Sequence, residues 1–365
     1  MGDIVNLAFV GDIMPGGVFV RKGGVDKEVL DYMNSFDLRI GTLESAFGNG
    51  STLCHIKNTP KLGTIIYSPD DSIKMLLDIG INAVSLANNH SCDCDLVGLY
   101  HTMELLDKYG ILHFGAGHTA AEAAAPAVLH CKGKTICLLG YLQEYHSFYR
   151  GKGYVPTDSE GGYNIFDIDK VLGDVKHYIN LYDYVFVMPH WGTEGTVLPK
   201  PEEVRFANMI IEAGATGVIG SHAHVVQSVK KYHNKVIAMN MGNFAFPDRY
   251  VVKPRIAYYP TDEELANHSI PVVNSFRIVD SLSYKKVSDS ERKGMILGIS
   301  LNGETIVLKK YYTLLLDNNT IIHRRKPSFL NTFLFYCKCL VKDNARVIYR
   351  HSSLLQKIRK KSVEL

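Results

Sequence analysis

Val5-Asn-Leu-Ala-Phe-Val-Gly-Asp12 is the first regular stretch of the chain. An apolar run that ends on Gly-Asp reads as a buried strand feeding a polar turn. The same sentence is written four more times. Leu38–Leu43 runs into Glu44, Ala83–Ala87 into Asn88-Asn89-His90, Tyr184–Met188 into Pro189-His190, and Ala215–Ile219 into Ser221-His222. Helical patterns lie between: Lys27–Asn34, Leu96–Tyr109, Ile168–Leu181 and Pro201–Ala213. Another is entered at Ser68-Pro69-Asp70-Asp71, with Ser as cap and Pro in the first turn, and stopped by Gly80. Such alternation predicts a layered α/β domain. Val236–Met241 is a further strand, residues 142–163 read as a long loop, and 249–277 as irregular. Ile296–Leu301 and Thr305–Lys310, either side of Asn302-Gly303, predict a hairpin.

At 365 residues, 46% hydrophobic and 21% charged, the chain can bury a sizeable core. Of its net charge of +3, the segment from Arg324 to Leu365 alone holds +9, with eleven Lys and Arg against Asp343 and Glu364, so the remainder stands at −6. An acidic body with a terminal basic segment argues against nucleic acid as the main partner. The seven cysteines are odd in number and scattered, and Cys92-Asp-Cys94 and Cys337-Lys-Cys339 have the wrong spacing for structural zinc. Reduced, structural thiols are expected. The first strand follows Met-Gly-Asp with no basic leader or long apolar run, which sets a cytoplasmic expectation.

The polar residues at the five strand exits share a location. In α/β sheets, loops beyond the carboxyl ends of parallel strands converge on one crevice. Asp12, Glu44, Asn89, His190, His222 and His224 would there form one shell of oxygen and nitrogen donors. Imidazoles mixed with carboxylates suit zinc, iron, manganese or nickel rather than magnesium or calcium. Taken singly, each has a plainer explanation: a strand-ending turn, a capping acid, a hydrogen-bonded core histidine. In His222-Ala-His224, alternate positions of an extended segment would place both imidazoles on one face.

Six motifs resemble the bacterial CapA-type capsule synthesis proteins, associated with poly-γ-glutamate. They are Phe9-Val-Gly-Asp-Ile-Met14, Thr42-Leu-Glu-Ser45, Ser85-Leu-Ala-Asn-Asn-His90, Pro189-His-Trp-Gly-Thr-Glu194, Gly220-Ser-His-Ala-His-Val225 and Met241-Gly-Asn-Phe244. That family is itself similar to calcineurin-like metallophosphoesterases. The resemblance therefore implies a two-sheet sandwich flanked by helices and a metal-dependent hydrolase. It also implies roles. Asp12 would ligate a first metal, with Glu44 bridging. Asn89, His190 and His222 would complete a second, His224 would return to the first, and His90 would stand beside the ions without ligating them, as a proton donor or a transition-state contact. Asp93 would orient His90 or cap the following helix, and Glu194 would hold a ligand histidine or be a plain surface acid. Two departures leave one or two ions of manganese, zinc or iron equally open. The superfamily's Asp-x-His is Asp12-Ile-Met14 here, and its bridging Asp is replaced by the longer Glu44.

The expected organisation is a domain over residues 1–247, an irregular segment and hairpin over 248–320 completing it, and a basic amphipathic helical tail over 321–365. The expected substrate is anionic, a phosphoester or a polymer such as poly-γ-glutamate. The alternative is a non-catalytic assembly or export factor with a metal or anion site. The tail combines Phe329, Phe333, Leu334, Tyr336 and Leu340 with surrounding Lys and Arg. Such a helix would either pack against the domain with its charges in water or support peripheral contact with the inner membrane face or a capsule synthase.

Overall fold

Alternate residues of the strand Val5–Ile13 serve two different cores. Val5, Leu7 and Phe9 enter the layer between two sheets, while Ala8, Val10 and Ile13 pack against helices. The structure, a computed structural model, describes residues 3–48, 65–143, 154–252, 256–267 and 282–324. Nearly the same division is made by Lys134–Gln143 in the second sheet. Ile136 and Leu138 face the inter-sheet core, and Cys137, Leu139 and Tyr141 face outward under the helices Ile168–Tyr178 and Pro201–Glu212. Phe9 and Phe186 meet across the sandwich with ring centres 4.9 Å apart. The architecture is helix, sheet, sheet, helix.

The first sheet has nine strands. Val5–Ile13, Leu38–Leu43, Ala83–Ser85 and Leu112–Phe114 run parallel, and Asn243–Ala245 adds to the exit end of the first. On the other flank, Lys293–Asn302 pairs antiparallel with Val5–Ile13, followed by Thr305–Leu315 and Thr320–Arg324. The hairpin turn is Gly303-Glu304, one residue beyond the expected Asn302-Gly303, with the positive φ of +56° carried by Gly303. In the second sheet Lys134–Gln143, Tyr184–His190, Gly217–Ile219 and Lys235–Ala238 are parallel.

Several local expectations need correction. Ser68 does not cap a helix: Tyr67–Pro69 is a strand, and a 3-10 turn at Asp70–Ser72 leads into the helix Ile73–Ile79. The Ser68 hydroxyl lies 2.7 Å from that of Ser45 instead. Gly80 ends this helix as expected, at φ +74°. Residues 249–277, expected to be irregular, contain the paired strands Arg249–Val252 and Ile256–Tyr258 and a short helix, Asp262–Asn267, and Ser283–Lys285 adds a third strand to that small sheet. The tail cannot begin at residue 321, because Thr320–Arg324 is a strand and Ile321 is fully buried. Residues up to Arg324 form one compact unit. Cys54, Cys337, Cys339, residues 144–153 of the 142–163 loop and the apolar-basic tail from 325 onward lie outside the described residues. Cys131 and Cys137 are free thiols, and Cys92 and Cys94 are buried. Among the described residues no helix is long and apolar enough to cross a membrane.

Ending the chain at Asn319 should therefore cost about 2–5 kcal/mol relative to ending it at Arg324, the scale of losing a buried aliphatic side chain. Denaturant midpoints of the two truncated chains measure the difference. Equal midpoints would mean that the last strand is dispensable.

Candidate metal centre

The strand Val5–Ile13 carries one extra residue against its neighbour. Phe9 pairs with Ile40 but Asp12 with Thr42, so the register shifts within Val10-Gly11. Such a bulge exchanges the two faces for everything beyond it. Ile13 accordingly joins the helix-side core, and Asp12 turns the other way, where its Oδ2 accepts the backbone N–H of His222 at 3.2 Å. Gly11 is required at the bulge: a Cβ there would lie 1.7 Å from the carbonyl oxygen of Gly242. Glu44 follows its strand directly, its N–H donating to Ile13 O at 2.9 Å. Asn88 pins the next exit by donating Nδ2–H to Leu43 O at 2.8 Å. His190 is the last residue of Tyr184–His190, and His222 and His224 follow Gly217–Ile219.

These side chains converge in two groups that share one carboxylate. Ligand atoms of Glu44, His190 and His222 lie within 4.8 Å of one another, and so do those of Asp12, Glu44 and His224. Glu44 Oε1 is 3.5 Å from His190 Nε2, and Oε2 is 3.6 Å from His224 Nδ1. Asp12 Oδ2 is also 3.6 Å from His224 Nδ1, and His222 Nδ1 is 3.0 Å from His190 Nε2. All five residues are buried, Asp12 and Glu44 completely. Yet Asp12 Oδ1 and both oxygens of Glu44 have no hydrogen-bond partner among the described residues. A buried acceptor left unsatisfied costs about 1–3 kcal/mol, more when charged. Three of them facing three imidazoles fit a divalent cation.

The field inside the cluster is correspondingly uneven. Burial, then the Glu44 charge, raises the Asp12 carboxyl to about 7, and burial raises Glu44 as well. Burial pushes His190 down to about 3. For His224 burial acts in the same direction, but Glu44 and Asp12 together outweigh it and lift the imidazole to about 9.

His222 and His224 do not sit on an extended segment. Both have left-handed backbones, φ +93° and +57°, a conformation that costs an ordinary residue about 1–3 kcal/mol. The two imidazoles consequently go to different groups instead of one face. Met14, where an imidazole is missing from the pattern, packs with Ile66 and Phe246 and supplies no nitrogen.

The family model described as Bacterial capsule synthesis protein PGA_cap matches residues 6–248. The chain belongs to this family. Over 250 residues, 67% of its length, this PGA_cap chain is 27% identical to the PGA biosynthesis protein CapA of Bacillus subtilis. Over 254 residues, 66% of its length, it is 26% identical to the capsule biosynthesis protein CapA of Bacillus anthracis. It spans 64% and 60% of those proteins, under two-thirds of either. A candidate 5'-nucleotidase from Staphylococcus aureus, solved with alpha-ketoglutarate, superposes with a TM-score of 0.50 at 9% identity. That superposition covers 89% of this chain and 55% of the other, and it shows a fold of the metallophosphoesterase kind.

Other residues of the PGA_cap chain surround the two groups. His90 belongs to neither, its Nε2 standing 4.0 Å from Glu44 Oε1. Its Nδ1 is 2.8 Å from Asp93 Oδ2, which also accepts the N–H of Ile66. Asp93 thus holds His90 and does not cap the helix Asp95–Lys108, whose N-cap position is Cys94. Asn89 Oδ1 lies 2.8 Å from His190 Nε2, the nitrogen that faces Glu44. Glu194 is exposed and, among the described residues, hydrogen-bonds to no site imidazole; it acts on His190 and His224 only as a nearby charge. Sequence reasoning passed over Ser221 and Asn243. The Ser221 hydroxyl is 2.8 Å from His190 Nδ1, and Asn243 Oδ1 is 2.8 Å from His224 Nδ1, contacts that fix ring orientation. Both stand inside quoted motifs, which was the available signal.

Metal uptake must displace the protons held by His224 and shared by Asp12. In the metal-free protein His224 is charged below about 9 and Asp12 is half neutral near 7, so apparent metal affinity should rise as pH increases from 6 to 8.5. Titrations of manganese or zinc across that range measure it, and a flat profile would contradict this field.

Proposed function

We propose that this chain is a metal-dependent hydrolase of capsule polymer biosynthesis, acting on a phosphoester or on an amide of an anionic polymer such as poly-γ-glutamate. The observation that carries the reading is the set of three buried, unpartnered carboxylate oxygens on Asp12 and Glu44, ringed by His190, His222 and His224. Glu44, His190 and His222, with Asn89 beside them, would hold one ion; Asp12, Glu44 and His224 would hold another. Manganese, zinc or iron there supplies Lewis acidity and a water nucleophile at neutral pH.

The chain's own residues do the rest. Asp93 accepts two hydrogen bonds and so remains an acceptor for His90 Nδ1–H. That leaves His90 Nε2, on the Glu44 side, to carry a proton to the leaving group. The Asp93 carboxylate stabilises the imidazolium before transfer and keeps the ring from turning. Ser221 and Asn243 do the same orienting work for His190 and His224.

A second reading, a non-catalytic assembly factor with a metal or anion site, draws on the group around Asp12, which has a single imidazole because Met14 is committed to the core. Two substitutions separate the readings. His222→Ala should strip metal and abolish hydrolysis of a phosphodiester or polyglutamate probe. His90→Ala should leave metal content near wild type while lowering turnover about a hundredfold or more. Full activity after chelator treatment would end the hydrolase reading. Metal-loaded wild type that cleaves neither probe class would favour the assembly factor.

A further inference from the structure

Arg249 is a buried cation that the chemistry above leaves unused. It begins the strand Arg249–Val252 and is only 6% exposed. Among the described residues its guanidinium makes no side-chain hydrogen bond and no ion pair, and its Nε is both buried and unpartnered. The neighbouring acid is no help. Asp248 is taken by Arg292 at 2.8 Å, by the N–H of Val287 and by Asn319. What Arg249 does touch leads to the metal ligands. Its guanidinium carbon lies 5.4 Å from the centre of the Phe246 ring, and that ring lies 5.0 Å from the imidazole of His224. Its Cβ also packs near Gly17, just beyond the segment that carries Asp12.

An ion buried without a counter-charge is expensive, by several kcal/mol. The carboxylates in whose field Arg249 sits are Glu291, Glu44 and Glu194, none of them in contact. Glu44 is already surrounded by His90, His190 and His224. One divalent ion would match the two charges of Asp12 and Glu44, leaving Arg249 only the more distant Glu291 and Glu194, with no carboxylate in contact among the described residues. A guanidinium also offers a planar fork of donors suited to the paired oxygens of phosphate or carboxylate.

We propose that Arg249 is the anion-recognition residue of this site, its guanidinium taking an oxyanion of the substrate, phosphate or carboxylate, beside His224. This rests on the reading of Asp12, Glu44 and the three histidines as a metal site. It adds the group that selects an anionic substrate over a neutral one.

The test uses the full chain, metal-loaded, as wild type, Arg249→Met and Arg249→Lys. Metal content is measured first, then calorimetric titration with inorganic phosphate and, separately, with glutarate. Arg249→Met should keep wild-type metal content and bind the recognised anion about tenfold or more weakly, the scale of losing a charge-assisted bond pair. Arg249→Lys, with charge but no fork, should fall between. Loss confined to phosphate assigns the phosphoester arm, and loss confined to glutarate the carboxylate arm. Wild-type affinity for both anions in Arg249→Met, with metal intact, overturns the proposal. If that variant does not fold, undiminished affinity in Arg249→Lys overturns it equally. Anion binding needs no turnover, so Arg249-dependent phosphate binding without hydrolysis would end the hydrolase reading alone. Normal binding by an active Arg249→Met would end this inference alone.

Discussion

The extra residue in the first strand is the constraint on which the rest depends. Without it Asp12 would share the face of Ala8 and Val10 and lie under the helices. With it, Asp12 faces the loop that follows the second sheet and receives the His222 N–H. The bulge is tolerated because Gly11 has no side chain and Gly242, at φ +67°, brings its carbonyl into the space. The same Gly242 oxygen accepts the N–H of Asp12 at 3.1 Å, so one backbone contact fixes both the bulge and the carboxylate it redirects. The Asn243 that follows then holds His224. One local irregularity sets the geometry of both ligand groups.

The second organising fact is electrostatic. Asp12 and Glu44 are deeper than their charges alone would allow, two imidazoles stand in left-handed backbone, and Arg249 is buried with no ion pair among the described residues. Each is unfavourable in isolation. Clustered within a few residues of one another in space, they describe a region shaped for charges that the polypeptide does not itself contain. By contrast, Asp248, Arg292 and Asn319 are equally buried polar groups but fully paired with one another, as structural groups are.

Much of this was legible in the sequence where the signal was local. The helix Lys27–Asn34 and strand Leu38–Leu43 have the bounds their patterns suggested, and each ligand candidate follows or ends an apolar run. What was not legible depended on contacts distant in sequence. Ser68 looked like a cap until Tyr67–Pro69 paired with Ala46–Gly48 and its hydroxyl met Ser45. Residues 321–324 fall to the basic tail by composition, which outweighs the short run Ile321-Ile322, and only pairing with Thr305–Leu315 and Gly24–Val25 marks Thr320–Arg324 as a strand. His222-Ala-His224 has the spacing of a strand, and nothing local announces a left-handed turn. Arg249 carried no motif. Its meaning lies in what it fails to touch.

The ligand groups draw on four strand exits belonging to two sheets, joined by contacts up to 210 residues apart such as His222 to Asp12. No isolated piece of the chain holds more than two of the donors in sequence proximity, so a half-assembled molecule offers an ion little purchase. Cation binding at these groups would therefore be almost entirely selective for the completed sandwich. By mass action an ion at a hundred times its dissociation constant would add about 2.7 kcal/mol to the stability of that state. An ion bound there would make the ambient supply of a trace metal a term in how long the folded protein survives, whatever its function.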